Sequence, residues 1–134
     1  MRNNTRNYTD KNAGRLLSFA FLLIFSWTGI ASYYSESGCL ECSPTLTMAN
    51  GQRLDDTKLT LAMTPRTVRK FKILNKKVTV RNRTTGASIV ATVTDTGGFA
   101  RYNRIADLSV ATKLAIGCGD LCKVEITYQK KGGE

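Results

Sequence analysis

Two alternating runs joined by turn chemistry restrict this chain more than any other feature. Lys77-Val78-Thr79-Val80-Arg81 sets an apolar side chain at every second position, the period of a half-buried strand. Asn82-Arg83-Thr84-Thr85-Gly86 then favours a reversal, and Ser88-Ile89-Val90-Ala91-Thr92-Val93 makes a second β-branched run, so the pair reads as a hairpin. Lys123 to Tyr128 alternates again, with Val124, Ile126 and Tyr128 facing inward, and Gly29 to Tyr34 and Leu59 to Met63 read as further short strands. One helix is expected over Val110 to Ile116, capped by Ser109 and ended by Gly117. Many short strands in about 100 residues call for closure, because a closed sheet has no exposed edge. The expectation is an all-β chain, a small closed barrel with one or two short helices.

The N-terminus has a different character. Arg2, Arg6, Lys11 and Arg15 precede an apolar run from Leu16 to Ile30, the order of a secretory signal. The run is apolar nearly all round, where a core helix would show a polar stripe. It is also short for a span of about twenty residues. Small residues at Gly29 and Ala31 would suit cleavage after Ala31, and an uncut signal-anchor is the alternative. Either way the expected organisation is a basic signal or anchor segment over 1–31 with a hydrophobic helix, a domain over 32–128 and a frayed tail over 129–134. The domain is expected outside the cytoplasm, whether extracellular, periplasmic or held at a membrane.

Export bears on the four cysteines. Cys39 and Cys42, and Cys118 and Cys122, form two close pairs. They would suit a four-thiolate zinc site by spacing, but in an oxidising compartment disulfides are favoured. No metal or cofactor is expected. Three disulfide pairings are open, and bridges between the clusters would close a loop of about 80 residues, stabilising by roughly 4 to 5 kcal/mol in the chain-entropy model.

The polar signal concentrates in Val93-Thr94-Asp95-Thr96-Gly97-Gly98-Phe99 and Arg104-Ile105-Ala106-Asp107-Leu108-Ser109. An acid at the end of a strand beside glycines is a common way to build a site on a β scaffold. Together with Ala31-Ser32-Tyr33-Tyr34, Met48-Ala49-Asn50-Gly51-Gln52-Arg53-Leu54-Asp55, Leu59-Thr60-Leu61-Ala62 and Val78-Thr79-Val80 with Thr85-Gly86, these motifs resemble, in order, the RlpA-like (rare lipoprotein A) double-psi β-barrel domain. The resemblance covers most of the chain from about Gly29 to Ile126. It implies a six-stranded double-psi barrel acting on peptidoglycan as an endolytic lytic transglycosylase, which cuts MurNAc-GlcNAc bonds to 1,6-anhydro products. Asp95 matches the family's strand-end aspartate and is the catalytic candidate. It would protonate the leaving oxygen and then accept the proton of the 6-hydroxyl that closes the anhydro ring. The alternative is a non-catalytic glycan-binding, expansin-like module.

Three positions depart from the family: Thr96 stands for its arginine, Gly98 for its proline and Met63 for a frequent histidine. The chain has no histidine, so carboxylates would carry any proton transfer. Asp95 also reads as a turn acceptor. Asp107 reads as a structural cap for the helix behind it. Asp55, Asn50, Phe99 and Tyr102 are possible cleft or substrate-binding residues, though Asp55-Asp56-Thr57 is also ordinary turn material.

Twenty Lys+Arg against ten Asp+Glu give a formal charge of +10. Arg66, Arg69, Lys70, Lys72, Lys76 and Lys77 crowd one stretch without an acid. Such a face would attract anionic wall polymers or a membrane surface. No nucleic-acid motif accompanies the charge, so nucleic acid is not the expected partner. A monomer acting on peptidoglycan strands is expected.

Overall fold

The computed structural model describes residues 22–39 and 42–132. Six strands, β1 (Leu22–Tyr33), β2 (Thr60–Met63), β3 (Lys77–Asn82), β4 (Ser88–Thr96), β5 (Arg104–Leu108) and β6 (Cys122–Lys131), close a barrel in the order β1-β5-β2-β4-β3-β6. Two short helices, α1 (Pro65–Phe71) and α2 (Val110–Ala115), and a 3-10 turn over Phe99–Tyr102 complete the described elements. The expected six-stranded, all-β double-psi barrel is the observed architecture. Its two parallel pairs, β1 with β5 and β2 with β4, are crossover connections woven into otherwise antiparallel neighbours.

Alternation fills the interior. Val78 and Val80, Ala91 and Val93, Ala106 and Leu108, and Val124 and Ile126 turn inward and are buried. Asn82 ends β3 inside the protein, where its amide donates to the Ile116 carbonyl (2.9 Å) and its oxygen accepts from the Thr84 amide (2.9 Å). A buried side-chain amide satisfied on both sides fixes the turn and the helix end together. Ser109 caps α2 as expected, its hydroxyl accepting from the Thr112 amide. Helix α1 was not anticipated, although Thr64 at its N-cap and Pro65 in its first turn are start signals.

The N-terminal expectation is corrected from Leu22 onward. Leu22–Tyr33 is a strand paired along its length with β6, so a boundary or a cut at residue 31 falls inside the barrel. Residues 1–21, where the basic segment and the start of the apolar run lie, are outside the described residues. Gly29 and Ala31 are small for a packing reason. A side chain at Gly29 would meet Ile105 Cγ2 at 2.8 Å, and Ala31 is sealed in the core. The tail is corrected too, since Gln129 to Lys131 continue β6 against Leu22 to Ile24. Among the described residues no helix is long and apolar enough to cross a membrane.

The cysteines close within their own clusters, Cys39 with Cys42 and Cys118 with Cys122. Of the three open pairings the structure takes the local one, which also removes the thiolates a zinc site would use.

A chain that begins at Ser32 lacks all but the last two residues of β1 and leaves β6 and most of β5 with open edges. It should show no cooperative unfolding transition in urea, whereas the full chain should; a cooperative transition in the shortened chain would contradict the assignment of β1.

Candidate functional site

Two β-bulges build the site. Between β2 and β4 the register runs Leu61 to Val93 and then Ala62 to Asp95, leaving Thr94 as the extra residue. Between β1 and β5 it runs Ile30 to Arg104 and then Ala31 to Ala106, leaving Ile105 extra. Bulges of this kind re-aim the side chains that follow them. The result is a row across four neighbouring strands, Ser32, Asp107, Ala62 and Asp95, each paired with the next. Partners in register share a face. The two acids therefore stand on the outer face of the sheet two strand spacings apart, about 10 Å between backbones, with the methyl of Ala62 between them.

The described residues between Tyr34 and Leu54 fold back over this row and make the opposite wall. Thr47 bridges to Arg53, and the Arg53 guanidinium pairs with Glu36 at 2.6 Å. Tyr34, Met48, Leu54, Ala62 and Phe99 form a second small apolar cluster beneath it, packed against Cys39, Cys42 and Leu46. Between wall and sheet lies a cleft of about 670 Å³ bounded by Asp95, Asp107, Tyr33, Tyr34, Tyr102 and Arg104, with the Cys39–Cys42 bridge in its wall. That volume is in the ordinary range for a small-molecule or oligosaccharide site.

Asp95 Oδ1 accepts from the amides of Ala49 (2.8 Å) and Thr96 (2.9 Å). Asp95 Oδ2 makes no bond to the described residues. Burial pushes its carboxyl above the usual range and the two amides pull it part of the way back. Asp107 accepts from the Ser32 hydroxyl. Burial, and then the charges of Asp95 and Asp107, raise the Tyr34 phenol far above its usual range. Tyr34 is thus a permanently protonated group close to both acids, its hydroxyl directed to Met48 Sδ (3.8 Å).

Two aromatic rings stand at the rim. Tyr102 is 56% exposed, with the Arg101 and Arg104 guanidinium carbons 4.9 and 5.6 Å from its centroid. Tyr33 is 37% exposed and carries Lys113 Nζ 3.5 Å above its ring. Cations over such faces hold the rings in place.

Several expectations change here. Asp107 is not a helix cap: it lies within β5, Ser109 does the capping, and its carboxyl belongs to the cleft. Asp55 is outside the cleft lining and closes a turn on Thr57, accepting from its hydroxyl (2.6 Å) and amide (2.9 Å). The Thr57 hydroxyl first, and its amide second, hold that carboxyl below its usual range. Asn50 is also outside the lining. Its amide donates to the Thr94 carbonyl (3.1 Å) and its side chain to Asn75 Oδ1 (2.9 Å), which holds the turn that presents Ala49 to Asp95. Phe99 lines the cleft but is 5% exposed. A side chain at Gly97 would meet its ring at 2.6 Å, so Phe99 is floor packing and Gly97 is there to admit it. Tyr102 lines the cleft. Arg104 was not singled out, although it lies in a motif that carried the resemblance.

Fold and site together define a double-psi β-barrel with a carboxylate-floored, aromatic-rimmed cleft. No protein-family profile matches the chain, and no characterised protein matches it by sequence. Among solved structures it is similar to the apo form of an expansin from Clavibacter michiganensis, with 14% identity over 82% of this chain and 52% of that one and a TM-score of 0.58. An aspartate-to-asparagine variant of a Clavibacter michiganensis expansin in complex with cellohexaose matches at 13% identity over 82% and 52%, with a TM-score of 0.56. The Streptomyces papain inhibitor matches at 17% identity over 78% of this chain and 94% of that one, with a TM-score of 0.54. The chain therefore spans about half of the expansin and nearly all of the inhibitor. At these identities the likeness is one of fold.

The raised Asp95 carboxyl fixes the sign of a pH effect. A carboxyl whose folded value lies above its unfolded value favours the folded state when protonated, and that stabilisation is lost as pH rises from the unfolded value, about 4, through the folded one. Asn keeps an oxygen for the two amides and removes the buried charge. Asp95→Asn should therefore gain stability relative to the native chain as pH rises from 4 to 7, read from urea midpoints at both values. A gap that stays constant with pH would count against the burial of this charge.

Proposed function

We propose that this protein is a non-catalytic, wall-acting module that holds a β-1,4-linked glycan strand in the cleft. The observation that carries the reading is the row Ser32, Asp107, Ala62 and Asp95 set beneath the exposed rings of Tyr33 and Tyr102. Carboxylates and a protonated phenol accept and donate to sugar hydroxyls, and exposed aromatic rings cover the C–H faces of sugar rings. The likeness to an expansin, a variant of which forms a complex with cellohexaose, supports glycan as the ligand class. The RlpA-like resemblance supports peptidoglycan as the particular glycan. The two disulfides fit a site of action outside the cytoplasm.

The second reading is lytic cleavage of peptidoglycan with Asp95 as acid and then base. The upward push on its carboxyl favours this reading, because a general acid must keep its proton near working pH. The amides on Oδ1 and the absence of any histidine or of an arginine at Thr96 favour the non-catalytic one.

The six cations anticipated as an anion-binding face, from Arg66 to Lys77, are all exposed on α1 and the turn into β3. None is in an ion pair among the described residues. They would add a non-specific attraction to anionic wall polymers that weakens with salt.

Sedimentation with insoluble peptidoglycan and with cellulose tests the proposal. The native chain and Asp95→Asn should both co-sediment with at least one, and neither should release 1,6-anhydro products detectable by mass spectrometry. Tyr102→Ala should weaken retention roughly 2- to 10-fold, the worth of one aromatic contact of about 0.5 to 1.5 kcal/mol. Anhydro product from the native chain but not from Asp95→Asn would replace binding by cleavage. Sedimentation with neither wall would overturn the proposal, and inhibition of papain by such a protein would move it towards the inhibitor whose fold it shares.

A further inference from the structure

A second cavity, of about 410 Å³, opens across the β4–β5 connection from the cleft. Trp27 of β1, Thr64 and Thr67 at the start of α1, and Ala100 and Asn103 bound it. Arg104 lines both cavities. The 3-10 turn over Phe99–Tyr102 is the ridge between them: Phe99 and Tyr102 face the cleft, and Ala100 and the following Asn103 face the second cavity. Tyr102 stands exposed with the Arg104 guanidinium against its ring.

We infer that the second cavity continues the glycan site, so that a linear β-1,4-linked polysaccharide crosses the ridge over Tyr102 and Arg104 with sugar rings held on both sides. The inference rests on the glycan reading of the cleft. The chemistry of the two cavities differs in a way that suits one polymer. The cleft has two carboxylates, whereas the second cavity has none and offers an indole, the Thr64 and Thr67 hydroxyls, the Asn103 amide and a share of Arg104. Neutral donors and acceptors beside an aromatic ring hold a sugar without offering it an acid. Two of these groups are already oriented. Thr64 Oγ1 donates to Thr67 Oγ1 at 2.9 Å, which leaves oxygen lone pairs for a ligand. Trp27 is fixed edge-on against Phe71, centroids 5.1 Å apart, while its indole N–H makes no hydrogen bond to the described residues. Trp27 is half-buried at this cavity, so its N–H is open to a donor contact, and a sugar hydroxyl is a fitting acceptor. An end-on ligand would need only the cleft; a strand gripped in its middle needs both sides of the ridge.

Titration calorimetry with the β-1,4-linked N-acetylglucosamine dimer and hexamer, and with cellobiose and cellohexaose, tests this. For whichever series binds, the native chain should hold the hexamer at least about tenfold more tightly than the dimer. Ala100→Trp fills the second cavity from an exposed position and should abolish that gain while leaving dimer affinity unchanged. Dimer affinity is the folding control. Should Ala100→Trp lose dimer binding as well, Trp27→Leu decides, with the same expected loss of the length dependence. A full length dependence in a variant that still binds the dimer overturns the second cavity and leaves the cleft reading intact. A native chain that binds none of the four probes overturns the glycan reading itself.

Discussion

Strand β2 is buried on both of its faces, and the site depends on that. Leu61 and Met63 point into the barrel, while Ala62 points outward under Tyr34 and Phe99. A strand buried on both sides needs apolar residues at every position, and Thr60-Leu61-Ala62-Met63 is nearly that. Its neighbours β4 and β5 carry one acid each, beside the smallest outward residue the strand has. The loop from Tyr34 to Leu54 can only close over such a row because Ala62 is small. Its closure then desolvates Asp95 and delivers the Ala49 amide to it in one movement. Packing and polarity at the cleft are thus one constraint, since the apolar cluster that seats the loop also sets the acid's environment.

How much of this was legible in the sequence follows from what kind of signal each part leaves. The β3–β4 hairpin and β6 alternate with period two, and they emerged where alternation placed them. Strand β1 emerged only from Gly29 onward, because Leu22 to Thr28 is too apolar to show a clear period, and composition alone does not separate a strand from a hydrophobic helix. Gly29 and Ala31 resembled a cleavage site for the same reason that they fit the barrel, which is small size. Asp95 was found through its glycine neighbours and the family resemblance. Asp107 was placed next to a helix correctly but given the wrong task. Its orientation is set by the extra residue Ile105 opposite Gly29, and a bulge in a parallel pair leaves no local trace. Asp55 and Asn50 lay in a matching motif, yet that motif serves the loop's own turns.

The charges of the cleft bear on what can enter it. Two carboxylates on the floor disfavour an anionic ligand, and cations stand at the rim, the Arg104 guanidinium beside Tyr102 and the Lys113 ammonium over Tyr33. A cationic ligand would meet the floor only after passing those same rim charges. A neutral polyol faces neither barrier, and its hydroxyls can answer a carboxylate and a phenol O–H at once. The phenol matters for this, because burial and both acids keep Tyr34 protonated, and its single O–H, weakly engaged by Met48 Sδ, would have to turn from that sulfur to donate to a ligand. Burial also raises the Asp95 carboxyl above its usual range. Under the glycan reading proposed above, the hydroxyls of a neutral polysaccharide meet these acceptors without a charge to oppose them.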